Sequence, residues 1–200
     1  MNIGVFGGSF DPVHFGHLKC AEALVQQGLL DKVLFMPTGN PPHKDSQSLT
    51  PAKHRLKMLE LAIGEYPQFE ISSYELRRKK TSYTIDTLAH LKKENPSDHY
   101  FFVLGADNLK TIHTWKNYRD LIAQNEFLLV QRPGFSLEVK KLPHLTKEEF
   151  KKLTEHQTNT PLLKTSATLV RALLKHSSKS TQKHTPEKVW TYILSNKLYF

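Results

Sequence analysis

Cysteine is almost missing from this 200-residue chain: Cys20 stands alone. One thiol excludes an intramolecular disulfide and a multi-cysteine zinc site, and it suits a reducing cytosol. Long apolar runs are missing too, since none approaches the roughly 18 residues that a membrane span needs. The N-terminus lacks a basic leader, and its short apolar stretch Ile3 to Phe6 stops at Gly7 and Gly8. That reads as a strand and not as a secretory signal. No internal repeat, RNA-recognition motif or helix-turn-helix pattern occurs. Acidic residues are the minority: 28 Lys and Arg face 19 Asp and Glu, a net charge of +9, with eleven histidines besides. A basic balance suits an anionic partner, and nucleic acid or a small phosphorylated ligand would each satisfy it. The lysine-rich stretches 138–152 and 175–188 read equally well as solvated surface. The expectation is a cytoplasmic protein with no membrane and no nucleic-acid partner.

What the chain does have is alternation of strand and helix patterns. Short apolar runs ending in turn residues predict strands at Ile3–Phe6, Lys32–Met36, Phe69–Ser72, Tyr100–Leu104 and Phe127–Val130. Apolar residues three and four apart predict helices through Leu18–Val25, Leu56–Ile63, Ile85–Leu91 and Tyr118–Ile122. Thr50–Pro51 looks like a cap with proline at the first helical position. Such alternation predicts an α/β fold, a doubly wound parallel sheet covered on both faces, with ligands at the carboxyl ends of its strands. From about residue 146 the pattern becomes helical. Thr146 and Glu149 form a capping box, Thr165 and Ser166 open a helix, and Thr185–Pro186 opens another. The chain thus divides into a nucleotide-binding core, 1–145, and a small helical C-terminal subdomain, 146–200, with Ser177–Lys183 as a flexible linker.

The polar oddities sit just after strands. Gly7-Gly8-Ser9-Phe10-Asp11-Pro12-Val13-His14-Phe15-Gly16-His17 follows the first strand and enters a helix. Its glycines let an anion approach backbone N–H groups, and the helix start offers free amides and a positive dipole end. His14 and His17 lie around the bend, where both imidazoles could reach one phosphate and stabilise charge developing there. No Gly-Lys-Ser/Thr follows, so this is not a Walker A loop; the third glycine of a dinucleotide fingerprint is missing as well.

Further loops each carry two readings. Pro41 and Pro42 stiffen the loop that aims His43 and Lys44, and lysine is a compact charge for phosphate. Ser82-Tyr83-Thr84 opens a helix whose first amides could take a carboxylate, or whose Ser82 or Thr84 simply caps it. Gly105 would admit a ligand and Asp107 could hold ribose hydroxyls, or cap a helix. Trp115 lies between polar residues, which suits a stacking ring, although a lone tryptophan usually belongs to a core. Arg132 precedes Pro133-Gly134, a common turn. Ser166, Thr168 and Arg171 share a helix start that would receive phosphate oxygens, or form a capped helix with a surface arginine.

The Gly-Gly-Ser-Phe-Asp-Pro loop with His-x-Gly-His resembles the nucleotidyltransferase branch of the HIGH superfamily. Within that branch the whole chain resembles the bacterial nicotinate-nucleotide adenylyltransferase family. The resemblance implies a Rossmann-like fold and an enzyme that moves an adenylyl group from ATP to nicotinate mononucleotide in NAD biosynthesis. It implies catalytic roles for His14, His17, Lys44 and Arg171. It implies ATP contacts from Gly7, Gly8, Ser9, Phe10, His14, His17, Lys44, Gly105, Asp107, Arg132, Ser166, Thr168 and Arg171. Ser9, Lys44, Tyr83, Thr84 and Trp115 would meet nicotinate mononucleotide. Mg²⁺ would ride on the ATP phosphates with few protein ligands. Thr165-Ser166-Ala167-Thr168-Leu169-Val170-Arg171 departs from the family's second motif at Thr165, Ala167 and Val170, and Ala167 costs one hydroxyl. The same chemistry with nicotinamide mononucleotide or another phosphate acceptor, or a non-catalytic nucleotide- or nucleic-acid-binding protein, are the alternative readings.

Overall fold

Six short strands supply the frame, and the alternation along each one decides which face its side chains cover. A computed structural model describes residues 1–40, 49–78, 80–131, 137–161, 163–175 and 182–200. The strands are β1 Asn2–Gly8, β2 Lys32–Pro37, β3 Phe69–Ile71, β4 His99–Gly105, β5 Glu126–Val130 and β6 His156–Thr158. They form one sheet in the order β3-β2-β1-β4-β5-β6, with every pair parallel. Strand order reverses between β1 and β4, where a parallel sheet opens a crevice at its carboxyl edge.

The helices are α1 Phe15–Gln26, α2 Ala52–Ile63, α3 Tyr74–Arg77, α4 Thr84–Glu94, α5 Tyr118–Gln124, α6 Lys147–Thr154, α7 Ala167–Lys175 and α8 Glu187–Ser195. Two 3₁₀ turns, Ala106–Lys110 and Ile112–Thr114, follow β4. Phe6, Val33, Phe35, Val103, Leu128 and Val130 point to one face and pack with α1, α2, α7 and α8 through Leu18, Leu59, Val170, Leu174, Val189 and Ile193. Their strand neighbours Ile3, Val5, Met36, Phe102, Leu104, Phe127 and Leu129 point to the other face, with Leu88, Leu121 and Leu153 of α4, α5 and α6. The period-two alternation of buried strands therefore fills two cores, one on each side of the sheet. The expected α/β doubly wound parallel sheet is what the chain forms.

Two local features differ from the sequence reading. β6 arises inside the stretch that reads as helical. Its three residues are His-Gln-Thr, so no apolar pattern announces it, and as a short polar edge strand it needs none. Its register against β5 is held in part by Thr158, whose hydroxyl donates to the Leu129 carbonyl at 3.1 Å. At α2 the cap position is Pro51, and no side chain caps the helix. Thr50 turns instead toward the first loop.

Candidate active site at the carboxyl edge of the sheet

β1 delivers the Gly7–His17 bend to the crevice beside β4. α1 begins at Phe15 with His14 in its cap position. The two imidazoles stack, with centroids 3.7 Å apart and planes 21° apart. The His14 backbone N–H donates to His17 Nδ1 at 3.3 Å. A neutral His17 ring therefore carries its proton on Nε2, which leaves that atom as a donor. Phe6 and Phe10 meet the His17 ring edge-on, at 5.8 and 5.0 Å between centroids. Gly16 is required by close approach: a Cβ there would lie 2.9 Å from the His14 ring and 2.9 Å from the Thr165 methyl.

The expected pair of open imidazoles is only partly realised. His17 is half-buried, whereas His14 is 3% exposed. Phe10 is also buried, with its ring in the core, so only its backbone can face a nucleotide. Asp11 is the centre of the bend. Its backbone carbonyl accepts from Arg171 Nη1 at 2.7 Å, and Arg171 Nη2 donates to the Thr168 hydroxyl at 3.3 Å. Two motifs 160 residues apart in sequence thus meet at one loop. Ser166 accepts the Leu169 N–H at 3.1 Å and caps α7, while Ser166 and Thr168 remain exposed. His184 completes the junction: its carbonyl accepts the Phe15 N–H at 2.9 Å, and its ring Nδ1 lies 3.2 Å from the Thr165 hydroxyl.

Beside the bend a cavity of about 460 Å³ opens between β1, β4 and α4, within the range of small-molecule sites. Gly7, Gly8, Ser9, Tyr83, Thr84, Gly105 and Trp115, all expected from the sequence to meet a ligand, line it. Trp115 is half-buried and stands edge-on to Phe102 at 6.0 Å. Asp107 lies beyond the cavity on the first 3₁₀ turn and is exposed. Neither Ser82 nor Thr84 caps α4; Tyr83 occupies that position, with no side-chain cap bond. The first-turn amides of α4 are thereby left without a side-chain acceptor, at the wall of the cavity.

Thr38, Glu75 and Lys116 escaped the sequence reading, and the Ser82 hydroxyl, expected as a possible helix cap, is placed otherwise. The hydroxyls of Thr38 and Ser82 are buried and make no hydrogen bond among the described residues, and both line the cavity. Buried polar atoms without partners are rare and call for a ligand or water. Thr38 was legible in principle, because it follows β2 at the carboxyl edge. Glu75 also lines the cavity, 6% exposed, and its carboxylate accepts the Thr87 hydroxyl at 2.7 Å. Burial pushes its carboxyl above the usual range. Gly39 must be glycine for this packing, since a Cβ would lie 2.3 Å from the Glu75 carbonyl oxygen. Lys116 stands at the cavity with its ammonium 4.7 Å over the Tyr83 ring and 3.0 Å from Asp86 Oδ2. Among the described residues no group of three His, Cys, Asp or Glu side chains is placed to hold a metal ion. His43, Lys44 and Arg132, three further site residues expected from the sequence, lie outside the described residues.

The chain matches the cytidylyltransferase-like family over residues 5–173. It is 38% identical over 197 residues to the nicotinate-nucleotide adenylyltransferase of Bacillus subtilis, covering 98% of this chain and 97% of that protein. It is 37% identical over 195 residues to the probable nicotinate-nucleotide adenylyltransferase of Clostridium tetani, covering 98% and 97%. Among solved structures, the Plasmodium falciparum nicotinic acid mononucleotide adenylyltransferase complexed with NaAD shares the fold, with a TM-score of 0.81 at 22% identity, covering 99% of this chain and 97% of that one. The chain belongs to the cytidylyltransferase-like family and, within it, to the nicotinate-nucleotide adenylyltransferases.

Proposed function

We propose that the protein transfers the adenylyl group of ATP to nicotinate mononucleotide, forming nicotinate adenine dinucleotide and pyrophosphate. One observation carries the reading beyond family membership. The stacked His14–His17 pair and Arg171 converge on a single bend, and that bend borders a cavity of ring-binding character.

The chemistry is an in-line displacement. A 5′-phosphate oxygen of the mononucleotide forms a bond to the α-phosphorus of ATP, and the α–β bridging bond breaks. Its electron pair leaves with pyrophosphate. The attacking group is already an anion, so no protein nucleophile is needed, and catalysis reduces to positioning and charge stabilisation. His17, with its proton on Nε2, is assigned to the α-phosphate oxygen, where charge grows. Arg171 with the hydroxyls of Ser166 and Thr168, joined by Lys44 and Arg132, is assigned to the leaving pyrophosphate, which a guanidinium can hold bidentately. Mg²⁺ is assigned to the ATP phosphates themselves, where it offsets their charge while keeping several of its waters.

The pyridine ring belongs in the cavity against Trp115 and Tyr83. Its carboxylate is assigned to the first turn of α4, with Lys116 close by. An uncapped helix N-terminus favours the acid over the amide by about 0.3–2 kcal/mol. The test is pyrophosphate release by the purified chain with ATP, Mg²⁺ and either pyridine mononucleotide. The expected outcome is turnover with both and a higher kcat/KM for the acid. No release with either acceptor would end the proposal.

A further inference from the structure

The last turn of the chain reaches back to the first loop. Tyr199, the penultimate residue, donates its hydroxyl proton to Asp11 Oδ1 at 2.5 Å across 188 positions of sequence. Its backbone sits at φ 72°, with Lys197 at φ 49°. Non-glycine residues with positive φ are uncommon and persist where surrounding contacts over-determine them. Here the contact is a buried one: Asp11 is 3% exposed, and Tyr199 packs on the same core cluster as Phe10 and Val13.

Two residues of the bend, Ser9 and Asp11, are held from separate parts of the chain. Arg55 of α2 donates through Nη1 to the Ser9 carbonyl at 2.9 Å and through Nε to the Thr50 carbonyl at 2.9 Å. The Thr50 N–H donates to Asp11 Oδ2 at 3.1 Å. Arg171 donates to the Asp11 carbonyl. These tethers are not equivalent in a working enzyme. Arg171 is the one also assigned to pyrophosphate, so its guanidinium is shared between the Asp11 carbonyl and substrate. Tyr199 has no such second task. Its bond holds one carboxyl oxygen of Asp11 while the Thr50 N–H holds the other, so the side chain is fixed from two sides.

We infer that Tyr199 is a positioning residue for adenylyl transfer: through Asp11 it fixes the bend that presents His17, and it carries this restraint while Arg171 engages the leaving group. The inference rests on the function proposed above. A small misplacement of such a loop costs rate more than acceptor binding, because the bend gives the cavity Gly7, Gly8 and Ser9, while most of its lining comes from β4, α4 and the turns after β4, and none from the last helix or beyond.

The experiment compares wild type with Tyr199→Phe, using ATP, Mg²⁺ and nicotinate mononucleotide at a temperature well below the melting point of both. Wild type must turn over first; its silence would count against the proposed function and not against Tyr199. With wild type active, Tyr199→Phe is expected to lower kcat by about 10–100-fold while the KM for the mononucleotide stays within about twofold. Hydrogen exchange of a peptide covering 7–17 should rise in the variant, with the strands unchanged. Tyr192→Phe is the control: it removes another hydroxyl contact of the same region, 2.9 Å from His54 Nδ1, and should leave kcat unchanged. If Tyr199→Phe is too unstable to assay, Asp11→Asn/Tyr199→Phe removes the unpaired charge and should show the same kcat loss. A wild-type kcat in a folded Tyr199→Phe or double variant, or a loss matched by Tyr192→Phe, overturns the inference.

Discussion

His17 owes its chemistry to neighbours that cannot move. Two phenylalanine edges and a stacked imidazole leave its ring one orientation, and a backbone amide settles which nitrogen keeps the proton. His17→Ala is therefore expected to lower kcat by about 10²-fold or more, with the circular dichroism and melting profile of wild type; normal turnover would remove His17 from the mechanism. That two histidines meet at this bend was legible from their spacing. That one of them is covered was not, because the cover depends on Gly16 and Thr165 meeting across 149 positions of sequence. Glu75 was illegible for the same reason: nothing in Tyr-Glu-Leu announces a carboxyl sealed under Thr87. Burial raises its pKa against the smaller opposing effect of the Thr87 bond. The folded chain then holds this proton to higher pH than the unfolded chain does. The associated stability is complete below the unfolded value, about 4.3, and is lost as pH rises through the folded one. Glu75→Gln removes that loss. Its melting temperature relative to wild type should climb as pH rises above about 4, and a flat or falling difference would show that Glu75 ionises normally.

Among the elements, those with strong local signals were readable and those set by long-range pairing were not. β1, β2, β4 and β5 are apolar runs stopped by turn residues, and their observed bounds lie within a residue or two of expectation. α6 is announced by Thr146 and Glu149. The Thr146 hydroxyl accepts the Glu149 N–H at 3.1 Å and the Glu149 carboxylate accepts the Thr146 N–H at 2.8 Å. Thr146→Ala should cost about 1 kcal/mol in urea denaturation and leave kcat alone, since no residue of α6 lines the cavity. A loss of activity would show that α6 supports the site through the core cluster they share. β6 is the opposite case, a polar tripeptide that becomes a strand only because β5 offers an edge. The start of α4 was misread in one respect. Serine and threonine near a helix start usually cap it, yet here the Ser82 hydroxyl is buried with no hydrogen-bond partner among the described residues, while Tyr83 holds the cap position. A local rule fails where the helix end faces a ligand site, as it does at functional positions generally.

At the scale of the whole molecule, the helices after residue 165 complete a core that the first sixty residues begin. Val189, Trp190 and Ile193 of α8 belong to one cluster with Phe6, Phe35 and Leu59. Burying each such side chain is worth about 1.5–3 kcal/mol, so losing all three is on the order of the total stability of a domain. Calorimetry should show one cooperative transition for the full chain and none for a chain ended at residue 182; two separable transitions would mean that the sheet and the final helix fold apart. The parallel sheet was legible because strand and helix patterns alternate, whereas the return of the C-terminus onto the first loop has no local signature at all. That return has a consequence for how the protein is made. The bend at residues 7–17 is synthesised long before two of the groups that hold it, on Arg171 and Tyr199. A growing chain therefore carries an unfinished loop until both of those residues have been added and have folded back onto it.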